Sequence, residues 1–572
     1  METLAIDLEQ TPRQALDPSH VEAIRALAEE RVVPKGATVF EPGDPMDEFL
    51  LIERGEIEVV NPRTGERAVP YTLRDGQYLG DVAFLNGGTW TLPFRAVEET
   101  VVHAVPRRAM LDLMARVPEL SDIVVTVFAG RRRRTLEAGN TALTLVGADD
   151  DRALRRIESF AARNRVPVAK IALGSAEAAR TLEAAGLPAD RPAALFGGRA
   201  IGDPTPQAVA RLLGLDLSLA GEDAFDVVIV GGGPAGIAAA VYAGAEGLSA
   251  LVIENEVIGG QAGSSSRIEN YTGFPTGISG GDLAWRGQIQ AMRLGARFVM
   301  PRSVERIEPI AADDGTDQPR EAGASEAADG AGPATGAAPH GRANDWCLTL
   351  DDGERVRARA VVIATGVQYR RLPIDRLEAF EGAGVYYAAT ELEARFCRNR
   401  EAVVVGGGNS AGQAAMFLAR AARHVHVLIR GEGLRDTMSA YLSSRLDADP
   451  AITIHPFTEV AALHGAETLD GITVRDAKAG TERRIDAGGL FVMIGAAPNT
   501  RWLEGVVTLN DKGFVPTGPE AGGATPYATS APGIFAVGDV RLGSVKRVAS
   551  GVGEGSVVIS HVWNHVHGGL TP

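Results

Sequence analysis

Two glycine turns in this chain have the spacing that seats a dinucleotide. In "DVVIVGGGPAGIAAAVYAGAEGLSALVIE", which begins at Asp226, β-prone residues run into Gly231-x-Gly233-Pro234-Ala235-Gly236 and a helix of small residues follows. The first glycine permits a tight turn, the second lets backbone approach a pyrophosphate, and the third lets helix and strand pack closely. The pyrophosphate then rests on the positive end of the helix. Glu254 ends the next strand, about 20 residues on, where a carboxylate accepts hydrogen bonds from a ribose. The second turn, in "EAVVVGGGNSAGQAAMFLARAARHVHVLIR", is Gly406-x-Gly408-Asn409-Ser410-Ala411, with alanine in the third place as the pattern permits. Its next strand ends in Arg430, not an acid, and Arg435 follows. Guanidinium groups pair with a 2′-phosphate that a carboxylate would repel. An acid-ended site followed by a basic-ended one predicts FAD exchanging electrons with NADPH.

The elements that position these turns alternate strand and helix, as in doubly wound sheets. A chain of 572 residues is too long for one core and predicts about three or four domains. With 68 glycines and only 5% aromatics, α/β nucleotide-binding architecture is favoured over a β-sandwich. A net charge of −16 argues against nucleic acid or an anionic membrane as a general partner. The basic run at 131–134 reads as a solvated helix face or linker. Two cysteines, Cys347 and Cys397, exclude a disulfide framework and a four-cysteine metal site. His561 and His565, four residues apart with His567 nearby, read as a surface terminal helix, and no metal site is predicted. An acidic N-terminus without a signal pattern, and no apolar run of ~18 residues, predict a cytoplasmic protein.

Residues 15–135 are predicted to form a small β-roll followed by a helix. Strands such as Thr38-Val39-Phe40 and Phe49-Leu50-Leu51-Ile52 are separated by the turn dipeptides Pro42-Gly43, Arg54-Gly55 and Asp75-Gly76. The order "VPKGATVFEPGDPMDEFLLIERGEIEVV … LRDGQYLGDVAFLNGG" resembles the cyclic-nucleotide-binding domain family. In that family a Gly-Glu pair and a downstream arginine hold the ribose and the cyclic phosphate. Here the pair is Gly80-Asp81, Trp90 occupies the arginine's place, and Arg95 stands further on. An indole has no charged donors for a phosphate, so a structural or partner-docking module is expected in place of a cAMP receptor. Residues 140–218 look like a thioredoxin or glutaredoxin-like fold, with Pro192 ahead of a strand. The turn where its redox pair would stand is Gly147-Ala148-Asp149-Asp150-Asp151, which carries no thiol.

Residues 224–567 resemble low-molecular-weight thioredoxin reductases. The resemblance implies an FAD domain in two parts, 223–368 and 498–572, with an NADPH domain at 369–497 inserted between them. Gly259-Gly260-Gln261 and "IENYTGFP" look like the loops that surround the flavin, with Gln261 and Asn270 as polar contacts. Ala364-Thr365-Gly366 and "GAAPNT" at 495–500 look like the links out of and back into the FAD domain. In "GIFAVGDVRLGSVKRVASGVGEGS", Gly538-Asp539 would put a carboxylate on the ribityl chain, and Lys546-Arg547-Val548 would lie by the ring at a helix start. A homodimer is implied by the same resemblance. Residues 311–343, rich in Ala, Gly, Asp, Glu and Pro, predict a disordered insertion, because they cannot bury enough surface to offset ordering.

The resemblance fails at one place. The family's Cys-x-x-Cys would fall on Ala388 and Glu391, neither of which can shuttle two electrons. Glu391 is a candidate proton donor beside the flavin, and a solvated charge at the domain junction is its duller reading. Cys347 reads as a buried strand residue and Cys397 as a helix-end thiol whose pKa a neighbouring arginine could lower. Flavin electrons would then go to an external acceptor: a small molecule such as a quinone, an iron–sulfur protein, dioxygen, or a disulfide protein met directly. A redox- or nucleotide-responsive regulatory flavoprotein is one alternative; thioredoxin reductase activity despite the missing pair, with the acceptor disulfide meeting the flavin directly or using Cys397, is the other.

Overall fold

The computed structural model describes residues 11–568, apart from 62–64, 138–142, 311–344, parts of 149–167, 217–223 and 264–269, and the single positions 197, 382, 388, 390, 436 and 467. Side chains at 12, 132–137, 391 and 392 are likewise outside the description. The insertion expected at 311–343 therefore lies outside the described residues.

The front of the chain folds as two facing antiparallel sheets. One contains Glu29–Val33, Thr100–Pro106 and Glu48–Arg54; the other contains Thr38–Phe40, Phe94–Ala96, Glu56–Val60 and Arg67–Arg74. Phe49, Tyr78, Phe84 and Phe128 cluster between them, and the helix Pro118–Glu137 closes the roll. Arg131, expected on a solvated face, is buried instead. Its guanidinium donates to the Gly80 carbonyl at 2.9 Å and lies 5.2 Å from the centre of the Tyr78 ring. A charge-assisted hydrogen bond and an aromatic face offset part of the desolvation, which still pushes the guanidinium pKa down. A four-stranded sheet follows, in which Leu143–Gly147 pairs in parallel with Val168–Ala172 and antiparallel with Ala193–Phe196. Pro192 stands directly before the latter strand.

The third unit is a mostly parallel sheet. Arg297–Val299, Ala250–Ile253, Ala224–Val230, Arg355–Ile363 and Ile534–Ala536 lie in that order, and an antiparallel pair, Trp346–Leu350 and Val304–Pro309, extends it. Strands covered on both faces must be apolar throughout, and "VVIV" and "VVI" are buried accordingly. The helices Pro234–Ala245 and Val548–Val566 pack against each other. Alanine and glycine make that closeness possible: a Cβ on Gly555 would lie 2.2 Å from the Ala235 carbonyl oxygen.

A fourth unit has five parallel strands in the order Val385–Tyr386, Ala487–Val492, Glu401–Val405, His424–Leu428 and Ile452–His455, with a three-stranded meander, Thr458–Gly465, Leu469–Asp476 and Glu482–Ile485, alongside. Chain enters and leaves this unit side by side, because Val367–Tyr369 pairs antiparallel with Ala496–Pro498. Among the described residues no helix is long and apolar enough to cross a membrane.

Candidate active site

The first glycine turn has the geometry its spacing predicts. Gly231 has φ +111°, and a Cβ there would lie 2.4 Å from the Ala364 carbonyl oxygen, so only glycine fits. Gly233 caps the helix Pro234–Ala245 without a side-chain hydrogen bond, leaving its first N–H groups for a ligand. Pro234 at the first turn has no N–H to lose there. Glu254 is buried at the end of Ala250–Ile253 and accepts from the Gly232 N–H at 2.7 Å and the Glu256 N–H at 3.0 Å. Burial raises its carboxyl pKa, against those backbone bonds, and each oxygen keeps a further lone pair for a ribose hydroxyl.

Gly231, Gly233, Glu254, Gly260, Gln261, Asn270, Gly538, Asp539, Lys546, Arg547 and Val548 all line one continuous cleft of about 2740 Å³. Gln261 donates its side-chain amide to the Val367 carbonyl, tying the short helix Gly260–Gly263 to the ribbon between the units. Gly538 has φ +72° and donates its N–H to Glu554 at 2.7 Å, while Arg541 holds the same carboxylate at 2.6 Å. This brace presents Asp539, whose carboxyl pKa burial raises and the Lys546 ammonium lowers. Arg547 caps the helix Val548–Val566, again without a side-chain hydrogen bond, so a second positive helix end opens on the cleft. The Thr365 hydroxyl, buried at the cleft, has no hydrogen-bond partner among the described residues. Two uncapped helix ends, an orphan hydroxyl and flanking carboxylates suit the pyrophosphate and polyols of FAD. Glu554, which braces this turn, stands inside "GVGEGS", where an acid within a glycine-rich helix start is its signal in the sequence.

The second turn is equally well formed but stands apart. Gly406 has φ +144°, with a Cβ position 2.4 Å from the Met493 carbonyl oxygen, and Gly408 caps Asn409–Leu418. Asn409 accepts from the Ser439 N–H at 2.8 Å, so its side chain braces the neighbouring helix. Ser410 is exposed and Ala411 buried. Arg430 and Arg435 are exposed. None of these residues lines the flavin cleft. The second unit presents Tyr386, Tyr387, Ala389, Glu393, Arg395 and Phe396 to it instead.

Those residues flank in sequence the two positions, 388 and 391, where the family's redox pair would fall. Ala388 lies outside the described residues; Glu391 begins the helix Glu391–Phe396, its side chain undescribed. Tyr387 stacks on Tyr369 at 5.5 Å and donates its hydroxyl to Glu381 at 2.5 Å, and Tyr386 stacks on Phe396. Cys397 does not rescue the site. It is fully buried against Gly489, and burial pushes its thiol up to about 11, outweighing the nearby Arg400. The arginine effect anticipated from the sequence therefore loses to desolvation. Cys347, buried in a different sheet, accepts a hydrogen bond from Arg355 Nε at 3.2 Å. A neutral thiol is a poor nucleophile. Cys397→Ser is accordingly expected to leave NADPH-driven flavin reduction and reoxidation within about twofold of the parent. Iodoacetamide labelling of the folded parent should stay slow at pH 8; fast labelling there would contradict the buried, protonated thiol.

Two dinucleotide-binding units, one inserted in the other through a two-stranded ribbon, define a flavin oxidoreductase that draws on a pyridine nucleotide. The pyridine nucleotide-disulphide oxidoreductase family matches residues 225–555, and the cyclic nucleotide-binding domain family matches 30–117. The chain belongs to the pyridine nucleotide-disulphide oxidoreductase family. It is 33% identical to a thioredoxin reductase of Streptomyces clavuligerus over 335 residues, 58% of this chain and 91% of that protein. It is 32% identical over 348 residues to NADPH-dependent thioredoxin reductase 3 of Arabidopsis thaliana, covering 59% of this chain and 58% of the relative. The thioredoxin reductase structure from Streptococcus pyogenes MGAS5005 superposes on 61% of this chain and 99% of its own, with TM-score 0.51 and 26% identity. The protein is thus an NADPH-dependent flavin oxidoreductase of thioredoxin reductase type, with FAD and NADPH as its cofactors.

Proposed function

We propose that this enzyme passes electrons from NADPH through FAD directly to an external acceptor, without an internal dithiol. The observation that carries the reading is the wall that the second unit presents to the cleft: tyrosines, Phe396 and charged side chains line it, while the one cysteine of that unit is buried, with its thiol pKa pushed up to about 11. Bound FAD supplies the two-electron carrier. The uncapped end of Pro234–Ala245 would hold its pyrophosphate, that of Val548–Val566 would face the ring, Glu254 would hold a ribose and Asp539 the ribityl chain. Arg430 and Arg435 would hold the 2′-phosphate of NADPH. Because the second glycine turn lies off the cleft, the reading includes a swing of the NADPH unit on the ribbon of Val367–Tyr369 and Ala496–Pro498. Glu391 and Glu393 belong to the helix Glu391–Phe396, and Glu393 lines the cleft, where a carboxyl would carry a proton. The acceptor is a small molecule, an iron–sulfur protein or a disulfide protein able to meet the flavin itself.

Anaerobic stopped-flow absorbance tests this. NADPH should bleach the flavin rapidly, and one acceptor should restore its colour within the turnover time while thioredoxin alone does not. Fast reoxidation by thioredoxin that vanishes in Cys397→Ser would sink the reading. A second reading, a regulatory flavoprotein, is favoured by the contact between the β-roll and the FAD unit, where Asn86 meets Phe298. It takes the lead if flavin bleaches quickly and no acceptor reoxidises it fast.

A further inference from the structure

The β-roll at the front matches a cyclic-nucleotide-binding family, yet the place of its phosphate-binding arginine is filled. Trp90 is 2% exposed and stacks on Phe40 at 4.3 Å. Arg95 is paired with Glu58 at 2.6 Å. The loop that would hold a cyclic nucleotide instead turns its short helix, Ala83–Asn86, toward the FAD unit. There Asn86 makes two buried hydrogen bonds to one residue: its Nδ2 donates to the Phe298 carbonyl at 3.0 Å, and its Oδ1 accepts from the Phe298 N–H at 2.9 Å. A carboxamide thus pairs with the open edge of Arg297–Val299, as another strand would. Asp122 adds an ion pair to Arg293 at 3.1 Å across the same interface.

The clamped strand is the one that positions the ribose acid. Val299, next to Phe298, accepts from the Glu254 N–H at 3.0 Å, and the Arg302 N–H donates to the Glu254 carbonyl at 2.9 Å. The linker behind the second module grips the same segment, where Asp216 and Arg302 form a fully buried pair at 2.9 Å. Asp81, Val82, Ala83, Asn86 and Thr91 of the roll line the same cleft as Glu254 and Met300. The Streptomyces relative is matched over 91% of its length by 58% of this chain, so too little of it remains to supply such a wall.

We infer that the degenerate nucleotide loop of the front module forms part of the FAD site, walling the adenosine half of the bound cofactor and clamping the strand beside Glu254. The ligand of this loop is therefore the adenosine of FAD held by the same chain. This rests on the placement of that adenosine at Glu254.

Titration of flavin-stripped, full-length protein with FAD and with FMN, which lacks adenosine, tests the inference. Asn86→Ala removes the clamp, and Ala83→Trp fills the wall at a partly exposed position. Each should weaken FAD binding about tenfold or more and leave FMN binding unchanged. Unchanged FAD affinity in both variants overturns the inference, and so does an equal loss for FAD and FMN, which would mark a general folding defect. Glu254→Gln serves as the reference. If it too leaves FAD affinity unchanged, the placement of the adenosine has failed; if it weakens FAD while the two loop variants do not, the wall alone has failed.

Discussion

Gly236→Val is expected to yield a folded but colourless protein. A Cβ at this position would lie 1.9 Å from the Gly231 carbonyl oxygen and 3.3 Å from Ile229 Cγ2. The first partner is backbone, so no rotamer relieves the contact, and the helix must lift away from its strand. That separation moves the uncapped N–H groups from the pyrophosphate seat and opens the turn in which Gly231 already has no room for a side chain. FAD binding should weaken by more than about a hundredfold, on the order of 3 kcal/mol, read as flavin absorbance per polypeptide. Gly233→Ala is the contrast, since nothing stands within 4 Å of its added methyl. It should keep the fold and lose only the close approach to phosphate. Retention of full flavin by Gly236→Val would show that helix and strand need not touch here.

The second large effect is expected at the other nucleotide. Replacing both Arg430 and Arg435 with glutamate should cut kcat/KM for NADPH by about a hundredfold or more, while the value for NADH changes little. Each guanidinium–phosphate contact contributes roughly 1.5–3 kcal/mol, and a carboxylate in its place adds repulsion. Both side chains are exposed, so the substitutions bury no new charge. Steady-state rates with each cofactor decide it. An equal loss with NADPH and NADH would assign these arginines a role in folding or domain placement.

Glu554 and Asn86 mark the limit of sequence reading from two directions. Glu554 sits in a stretch whose likeness to an FAD motif was plain, yet its role as the brace of Gly538 depends on the helix Val548–Val566 folding back over the turn. Asn86 meets Phe298 across 212 residues of chain, a distance no local pattern spans. Arg131 departs from its expected solvated face for a related reason. Its neighbours in sequence are charged, but its neighbours in space are Tyr78 and the Gly80 carbonyl.

What the sequence by itself determined is local: both glycine turns, the acid and the arginines that end their strands, and the missing redox pair. Each rests on a backbone conformation or side-chain type decided within some 25 residues, where sterics leave glycine alone at Gly231 and Gly406. Only the tertiary structure decided that Cys397 is sealed and its thiol pKa raised, that the second glycine turn lies off the cleft of the first, and that residues of the front roll line that cleft. Those outcomes follow from how units dock, and docking is set by surfaces assembled from distant segments, where burial and edge pairing outweigh the chemistry of immediate neighbours.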